Sequence, residues 1–438
     1  MDLRTDVVVV GAGAAGLAAA RALSQGGANA VVLEARERIG GRILTREDAG
    51  LLVPAELGAE FVHGTAEVSF ALLRAANTVA VDTVEGAFMF EDGALRPAGD
   101  PFATLSRVMA GARALTADLS VAAFLAALPE GPGVERDRRL ARMLVEGFDA
   151  ADPARAGTLA IAQEWDGGED GQTARQFRPL GGYAPLLRTL HAGLDPARVD
   201  LRLGTPVHAL RRHAGGVEVH ATTAHGSPLH VGARAAIVTL PLGVLQSADV
   251  RFEPPLPERT GEALRQLVMG PVVKLVLRFR TAWWERLHGE RYRSAAFFQN
   301  ADARFPTFWT QLPLRAPQLV AWAGGPKADA LAELDHDARV AVALTDLRTL
   351  FGGAVEPEAE LDGAYGHDWQ RDVYARGAYS YVATGGGDAR GAIAAPLDGV
   401  LFFAGEATAP VAEAGTVAGA LGSGERAAAE ALRALGAN

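Results

Sequence analysis

A glycine turn after a short apolar strand constrains this chain more than any other feature. Val7-Val8-Val9-Val10 is a β-branched run of the kind that forms a buried parallel strand. A helix-prone segment over residues 17–25 follows the turn, and residues 30–33 form a second apolar run. A strand–turn–helix–strand unit of this length typically holds a pyrophosphate at the helix N-terminus. The turn glycines are Gly11, Gly13 and Gly16.

The three glycines and one acid predict a dinucleotide site. Gly11 permits the tight turn, Gly13 lets backbone approach the pyrophosphate, and Gly16 allows close packing of helix on strand. Glu34 ends the second strand, 18 residues after Gly16, where a carboxylate accepts hydrogen bonds from a ribose hydroxyl. An acid at this position favours FAD or NAD over NADP. The predicted site also includes Ala14 and Ala15.

The residues after Glu34 favour FAD over NAD. Gly40-Gly41 lets a second stretch of backbone approach the diphosphate, and Arg42 offers a charge to neutralise it. Ala35 and Arg36, between the ribose acid and this glycine pair, belong to the same predicted site.

The remaining patterns predict an α/β fold with two domains. Signals typical of a nucleotide domain occur at both ends of the chain and in its middle, so we predict a Rossmann-like domain built from discontinuous segments with an α+β substrate-binding domain inserted. The predicted nucleotide domain comprises residues 1–80, 199–250 and 385–438, and the inserted domain residues 81–198 and 251–384. Local patterns predict mainly helix over 70–190, strands over 207–239, 272–279 and 401–404, and helices over 328–350 and 415–435.

Composition excludes several classes of protein. The net charge is −10, which argues against a nucleic-acid surface, although an acidic protein attracts cations. The absence of cysteine excludes disulfides and a thioether-linked cofactor, and the histidines of the middle region are scattered, so we expect no metal site. No apolar run of about 18 residues occurs, and the start does not resemble a signal peptide. We therefore expect a cytoplasmic protein without a membrane span; the sequence leaves its oligomeric state open.

Several separated motifs resemble the flavin-dependent amine oxidase family. These are ELGAEFVHG at 56–64, VTLPLGVL at 238–245, PVVK at 271–274, ARGAYSY at 375–381, FAGEAT at 403–408 and GTV at 415–417. The family includes monoamine oxidases, polyamine and spermine oxidases, and flavin histone demethylases. The resemblance is greatest to the polyamine and spermine oxidase branch and implies the amine oxidase fold, with non-covalent FAD at the domain interface.

The resemblance also implies roles for residues far from the glycine turn. Val207 matches the residue whose backbone contacts the adenine, Glu406 the carboxylate at the ribityl–pyrophosphate end, and Val417 the backbone donor to the flavin pyrimidine edge. The remaining implied cofactor contacts are Gly58, Ala59, Glu60, Gly405, Gly415 and Thr416.

Lys274 lies in an apolar strand, Val272–Phe279, where an unpaired ammonium is costly. In the family the matching lysine bridges through water to flavin N5 and assists the reaction with oxygen, so we predict that Lys274 is catalytic. The alternative is an edge-strand lysine that extends to solvent.

His63 is the second predicted catalytic residue, because a neutral imidazole can hydrogen-bond an amine nitrogen or help it lose a proton. The resemblance implies that it faces the substrate; a purely structural histidine is the alternative. Glu164 of the Glu164-Trp165 pair, Glu60 and Glu413 are candidate partners for further ammonium groups. Further candidate wall residues are Trp369, Tyr379 and Tyr381.

The predicted function is FAD-dependent oxidation of polyamines such as spermine, spermidine or N-acetylated forms. A hydride leaves the carbon beside the amine nitrogen, the imine is hydrolysed to an aldehyde and an amine, and oxygen is reduced to hydrogen peroxide. The alternatives are a monoamine or L-amino-acid oxidase and a non-catalytic flavin-binding scaffold. The aromatic residue that often precedes Gly-Thr-Val in the family is missing before Gly415, which leaves substrate choice open.

Overall fold

The computed structural model describes residues 2–47, 50–83, 86–99, 101–165 and 175–436. Within these residues, a mixed sheet of eight strands forms the nucleotide side of the molecule. Its parallel part places the first strand, Asp2–Val10, between Ala30–Leu33 and Pro228–Val238. The strand order is Val199–Arg202, Ala30–Leu33, Asp2–Val10, Pro228–Val238, Gly216–Thr222, Val207–His213 and Arg251–Glu253, and Leu401–Phe403 also pairs with Pro228–Val238.

Helices cover both faces of this sheet because its central strands are apolar on both sides. Val7 and Val9 point into one hydrophobic core, and Val8 and Val10 point into another, as alternate side chains of a strand must. The helices Ala14–Gln25 and Val417–Leu435 pack together on the first face. Both faces are therefore buried, which is typical of a parallel α/β sheet.

A second sheet of seven strands forms the other side of the cavity. One of its strands, Val272–Phe279, pairs with Gln318–Gly324 and with Leu361–Gly366. The strand order is Leu361–Gly366, Val272–Phe279, Gln318–Gly324, Thr307–Trp309, Phe297–Gln299, Ala87–Glu91 and Ala94–Pro97. Three small sheets pair Leu267–Gly270 with Tyr379–Val382, Thr45–Arg46 with Ala55–Glu56, and Gln176–Pro179 with both Val62–His63 and Ala80–Asp82.

The helices differ from the sequence prediction mainly at their ends. The first begins at Ala14, three residues earlier than predicted, and the last begins at Val417. The single helix predicted over 328–350 is two helices, because the Asp335 side chain accepts a hydrogen bond from the Ala338 amide and starts a new one. The remaining helices are Glu67–Ala75, Pro101–Met109, Val121–Ala126, Val134–Gly147, Thr158–Trp165, Ala184–Ala192, Leu242–Ser247, Glu258–Gln266, Gly325–Ala332, His336–Leu350, Pro357–Glu360 and Ala389–Ala394.

The α/β fold, with an α+β layer on the predicted substrate side, agrees with the sequence prediction. The domain boundaries stay a prediction. Two elements lie across the predicted boundaries. The helix Ala184–Ala192 shares a hydrophobic core with Ala14–Gln25, and Arg251–Glu253 extends the first sheet. The region 70–190, predicted as mainly helical, also contributes four short strands to the smaller sheets and the second sheet.

Candidate functional site

A cavity of about 1680 Å³ runs between the two large sheets, from the glycine turn to a group of aromatic side chains. Sites for a single small ligand commonly measure roughly 300–1,000 Å³. The volume therefore suits an extended dinucleotide together with a second molecule.

The glycine turn has the geometry that a dinucleotide requires. Gly11 adopts a φ of +106°, which favours glycine. A Cβ on Gly16 would lie 1.9 Å from the Gly11 carbonyl oxygen, whereas a Cβ on Gly13 would meet protein atoms only at 3.8 Å or beyond. Gly16 is thus needed for packing, and Gly13 leaves open space at the cavity wall. Gly11, Gly13, Ala14 and Ala15 line the cavity, as predicted.

Glu34 and the second glycine pair lie beside this turn. The buried Glu34 carboxylate accepts hydrogen bonds from the Ala12 amide at 2.7 Å and the Arg36 amide at 2.9 Å. Gly40 donates to the Ala12 carbonyl at 2.8 Å, so the two glycine segments lie side by side. Further predicted cofactor residues that line the cavity are Ala35, Arg36, Gly41, Arg42, Gly58, Ala59, Glu60, Val207, Gly405, Glu406, Gly415, Thr416 and Val417.

Two helix N-termini open into the cavity and suit the negative charges of a diphosphate. One is that of Ala14–Gln25, and the other is that of Val417–Leu435, whose first turn is capped by the Thr416 hydroxyl. The described residues thus fit a bound dinucleotide.

Arg42 and Glu406, predicted separately, form an ion pair of 2.9 Å. Arg42 also donates to the Ala378 carbonyl, and Glu406 accepts from the Ser380 hydroxyl at 2.7 Å. Burial would raise the pKa of Glu406, but Arg42 and Arg390 hold it below its usual value. Glu406 therefore compensates part of the charge of Arg42, and the role of Arg42 in neutralising the diphosphate stays a prediction.

Arg36 is also paired, in a contact that the sequence did not predict. Its guanidinium lies 2.7 Å from Asp372, which follows the last strand of the second sheet and also contacts His367 at 2.8 Å. Val373 and Tyr374, next to Asp372, line the cavity near Glu34. This segment connects the two sides of the molecule at the predicted adenosine end.

Lys274 is buried and faces the cavity, so the solvent-exposed alternative is wrong. Its Nζ lies 2.7 Å from Glu60 Oε2 and donates to the Gly58 carbonyl at 3.1 Å. Glu60 also accepts from Trp309 Nε1 and Arg178 Nε. The expectation that Glu60 pairs with a substrate cation is therefore corrected, because two protein cations already occupy its carboxylate.

His63 lies on the cavity wall and is neutral at ordinary pH. Burial lowers its pKa to about 4. Its Nδ1 is buried and has no hydrogen-bond partner among the described residues, and its ring meets Phe148 edge-on with a centroid separation of 5.3 Å. The ring itself borders the cavity.

Glu164 lies beside a second buried acid, Asp149, that sequence reasoning missed. Trp165 Nε1 is 3.4 Å from Asp149 Oδ2, and Arg390 is 3.9 Å from Glu164. Burial raises the pKa of Glu164 to about 7, and burial together with the charge of Glu164 raises the pKa of Asp149 well above its usual value. No local motif marks Asp149, since only the fold brings it to Glu164.

The rings of Phe102, Phe148 and Trp165 pack against one another between His63 and this acid pair. Tyr379 lines the same region, and its hydroxyl donates to the Phe148 carbonyl at 2.6 Å. The cavity thus has an aromatic wall that also carries His63 and the acid pair.

The remaining predicted wall residues differ in their exposure to the cavity. Trp369 is buried under the Gly58 segment, with its Nε1 donating to the Leu57 carbonyl at 2.8 Å. Tyr381 is 2% exposed and belongs mainly to the hydrophobic core of the helical region, although it borders the cavity. Glu413 is exposed in a short 3-10 turn at the cavity rim.

Comparison with known proteins agrees with this geometry. The family of flavin containing amine oxidoreductases matches residues 14–432. The chain belongs to this family. Polyamine oxidase 3 of Oryza sativa subsp. japonica is 31% identical over 97% of this chain and 88% of its own length. Lysine-specific histone demethylase 2 of Homo sapiens is 29% identical over 92% of this chain and 50% of its own length.

Solved structures confirm the amine oxidase fold. Putrescine oxidase bound to putrescine superposes with a TM-score of 0.81 at 23% identity, covering 99% of this chain and 100% of that one. Cyclohexylamine oxidase from Brevibacterium oxydans gives a TM-score of 0.80 at 22% identity, covering 99% of each chain.

The amine oxidase is thus an oxidoreductase whose cofactor is FAD, held non-covalently, as the sequence predicted. Among the described residues, no group of three or more histidine or acidic side chains could hold a metal ion. No helix in the described part of the chain is long and apolar enough to cross a membrane.

Proposed function

We propose that this amine oxidase oxidises polyamines and passes the electrons to oxygen, releasing hydrogen peroxide. The observation that carries the proposal is that His63 and the Asp149–Glu164 pair all line the cavity and are connected through the rings of Phe148 and Trp165. A polyamine presents one nitrogen for oxidation and at least one more ammonium group. The similarity to a rice polyamine oxidase supports the same substrate class.

His63 suits the nitrogen beside the carbon to be oxidised. An imidazole whose pKa is about 4 is too weak a base to deprotonate an alkylammonium, so its role is to hydrogen-bond an amine that is already neutral. A neutral amine is the form that can release a hydride from its neighbouring carbon. FAD, when bound, supplies the acceptor for that hydride.

The acid pair suits a second ammonium group. Asp149, Glu164 and Glu406 surround Tyr379, and among the described residues Arg390 and Arg42 are the cations that act on these three acids. The acid pair therefore has less positive charge beside it than its two carboxyl groups would need, which raises the pKa of both. A substrate ammonium supplies the missing charge, and the aromatic rings cover its methylene chain.

The alternative of an L-amino-acid oxidase requires a free cation for the substrate carboxylate. Four of the arginines that line the cavity already have an acidic partner within 3 Å: Arg36, Arg42, Arg175 and Arg376. This pairing favours a cationic substrate. A cytoplasmic location stays a prediction from the sequence.

The test is peroxide release from the FAD-loaded protein with spermine, spermidine, N-acetylated polyamines, putrescine, benzylamine and L-amino acids. We expect the highest kcat/KM for a polyamine. A clear preference for benzylamine or an L-amino acid would overturn the substrate assignment. Anaerobic mixing that reduces the flavin with none of these amines would overturn the oxidase function itself.

A further inference from the structure

The contact between Lys274 and Glu60 is a buried ion pair at the cavity wall. Lys274 lies on the strand Val272–Phe279 of the second sheet, and its side chain is only 2% exposed. The separation of Nζ from Glu60 Oε2 is 2.7 Å, and Nζ also donates to the Gly58 carbonyl. A buried ammonium without a partner is costly, so this pairing compensates the charge of Lys274.

Glu60 is itself held in place by two other donors. Its Oε1 accepts from Trp309 Nε1 at 2.9 Å and Arg178 Nε at 3.2 Å, which leaves Oε2 for Lys274. Arg178 is buried and anchored by the carbonyls of Leu312 and Thr310. Burial would raise the pKa of Glu60, but Lys274 and Arg178 hold it below its usual value. The carboxylate is therefore charged and fixed.

The neighbouring acid Glu56 has different properties. It lies on the short strand Ala55–Glu56 and accepts from the Tyr183 amide at 2.6 Å and the Thr45 hydroxyl at 2.8 Å. Burial raises its pKa to about 7, with Lys274 opposing the rise and Glu60 adding to it. Glu56 is therefore a described neighbour of the ion pair whose pKa lies close to neutral pH.

We infer that Glu60 is a positioning residue that holds Lys274 as a permanent ammonium at the cavity wall. Lys274 then supplies a constant positive charge and exchanges no proton during turnover. The charge of Lys274 is inferred independently of the proposed oxidase function. Only the consequence rests on that function, namely that the charge assists the reduction of oxygen at every working pH.

The test compares Glu60→Gln, Glu60→Asp, Lys274→Met and the double variant Glu60→Gln/Lys274→Met in the FAD-loaded protein. Each protein is reduced with dithionite and mixed with oxygen from pH 6 to pH 9, so no amine substrate is needed. The visible spectrum of the oxidised flavin is titrated over the same range. Glu56→Gln serves as the control that removes the neighbouring titrating acid and retains the ion pair.

We expect Glu60→Gln to make reoxidation slower at high pH, on the order of tenfold by pH 9, because Lys274 beside Arg178 then loses its proton. The visible spectrum of the oxidised flavin should change with the same apparent pKa as the loss of reoxidation rate. Both effects should be absent from the wild type, from Glu60→Asp and from the double variant. Lys274→Met should be slow at every pH, and the double variant should match it.

A reoxidation rate that changes with pH no more in Glu60→Gln than in the wild type would overturn the inference. Additive effects of Glu60→Gln and Lys274→Met in the double variant would also overturn it. If Glu60→Gln fails to bind FAD, the same two readouts on Glu60→Asp decide the question, since a new ionisation despite a retained carboxylate contradicts a fixed charge. If every protein, including the wild type, is reoxidised slowly, only the proposed reaction with oxygen is contradicted. The inference about Lys274 is still tested, because the spectral titration reports its charge.

Discussion

Burial favours the neutral form of two titratable groups along the aromatic wall. It lowers the pKa of His63 to about 4 and raises that of Glu164 to about 7, so both groups favour their neutral forms. A cationic substrate favours the ionised form of the acid pair but leaves the imidazole neutral.

At the residue scale, replacing His63 with Gln should lower kcat/KM by about 10- to 100-fold, the effect of losing one hydrogen bond to the reacting amine.

The pKa of His63 is lower in the folded state than the unfolded value of about 6.5. Unfolded chains therefore bind the proton first, and wild-type stability falls as the pH drops from about 6.5 to 4. Urea unfolding at pH 7 and pH 5 should show a smaller loss for His63→Gln; an equal loss would contradict the neutral imidazole.

The acid pair gives a second residue-scale prediction. Asp149→Asn or Glu164→Gln should raise KM for spermidine about 10- to 100-fold, because an ammonium loses a hydrogen-bonded carboxylate, and should leave benzylamine unaffected. In the wild type, KM for spermidine should fall as pH rises through 7, since the pair must release its proton to bind a cation.

Initial-rate measurements with the two amines check this prediction, with Glu425→Gln on the exposed side of the last helix as the control. Equal changes in KM for spermidine and benzylamine would show that the pair has no role in recognising a second charge.

At the scale of single elements, different glycines of the turn serve helix packing and cofactor binding. Gly16→Ala should destabilise the apoprotein by several kcal/mol, because the new Cβ would lie 1.9 Å from a backbone oxygen. Gly13→Ala should leave apoprotein stability within about 1 kcal/mol, since its backbone is extended and its Cβ meets no protein atom closer than 3.8 Å.

Both variants should bind FAD weakly, Gly13→Ala because its methyl group occupies the space of the pyrophosphate. Thermal unfolding of the apoproteins and FAD titration check the pair of predictions. Normal FAD affinity in Gly13→Ala would place the diphosphate elsewhere in the cavity.

The elements that the sequence predicted best are those fixed by local pattern. Val272–Phe279 and Ala30–Leu33 have the predicted bounds, because each is a short apolar run that ends at polar or turn-forming residues. The break at Asp335 was missed, since a capping side chain competes with helix-forming neighbours on both sides. Asp149, Arg178 and Arg390 were missed for another reason: their partners are distant in sequence, and only the folded chain brings them together.

At the scale of the whole molecule, the ion pair between Arg36 and Asp372 connects the nucleotide sheet to the segment that follows the second sheet. Both side chains are largely buried, with 14% and 10% exposure. Burial would raise the pKa of Asp372, but His367 and Arg36 hold it well below its usual range. The carboxylate of Asp372 therefore keeps its charge well below neutral pH.

Asp372→Asn should speed the release of FAD by about tenfold, because a buried charge pair that holds Arg36 beside the ribose acid is lost. Dilution of the holoprotein with fluorescence detection of free flavin measures the rate. Asp398→Asn removes the exposed partner of Arg212, far from Arg36 in sequence, and serves as the control. A rate unchanged in Asp372→Asn would show that this connection does not hold the cofactor in place.

The connection at Arg36 also bears on how the protein is synthesised. Its two halves are separated by more than 300 residues, so the ribosome releases the glycine turn long before Asp372 emerges. FAD can therefore meet the glycine turn before the contact between Arg36 and Asp372 forms.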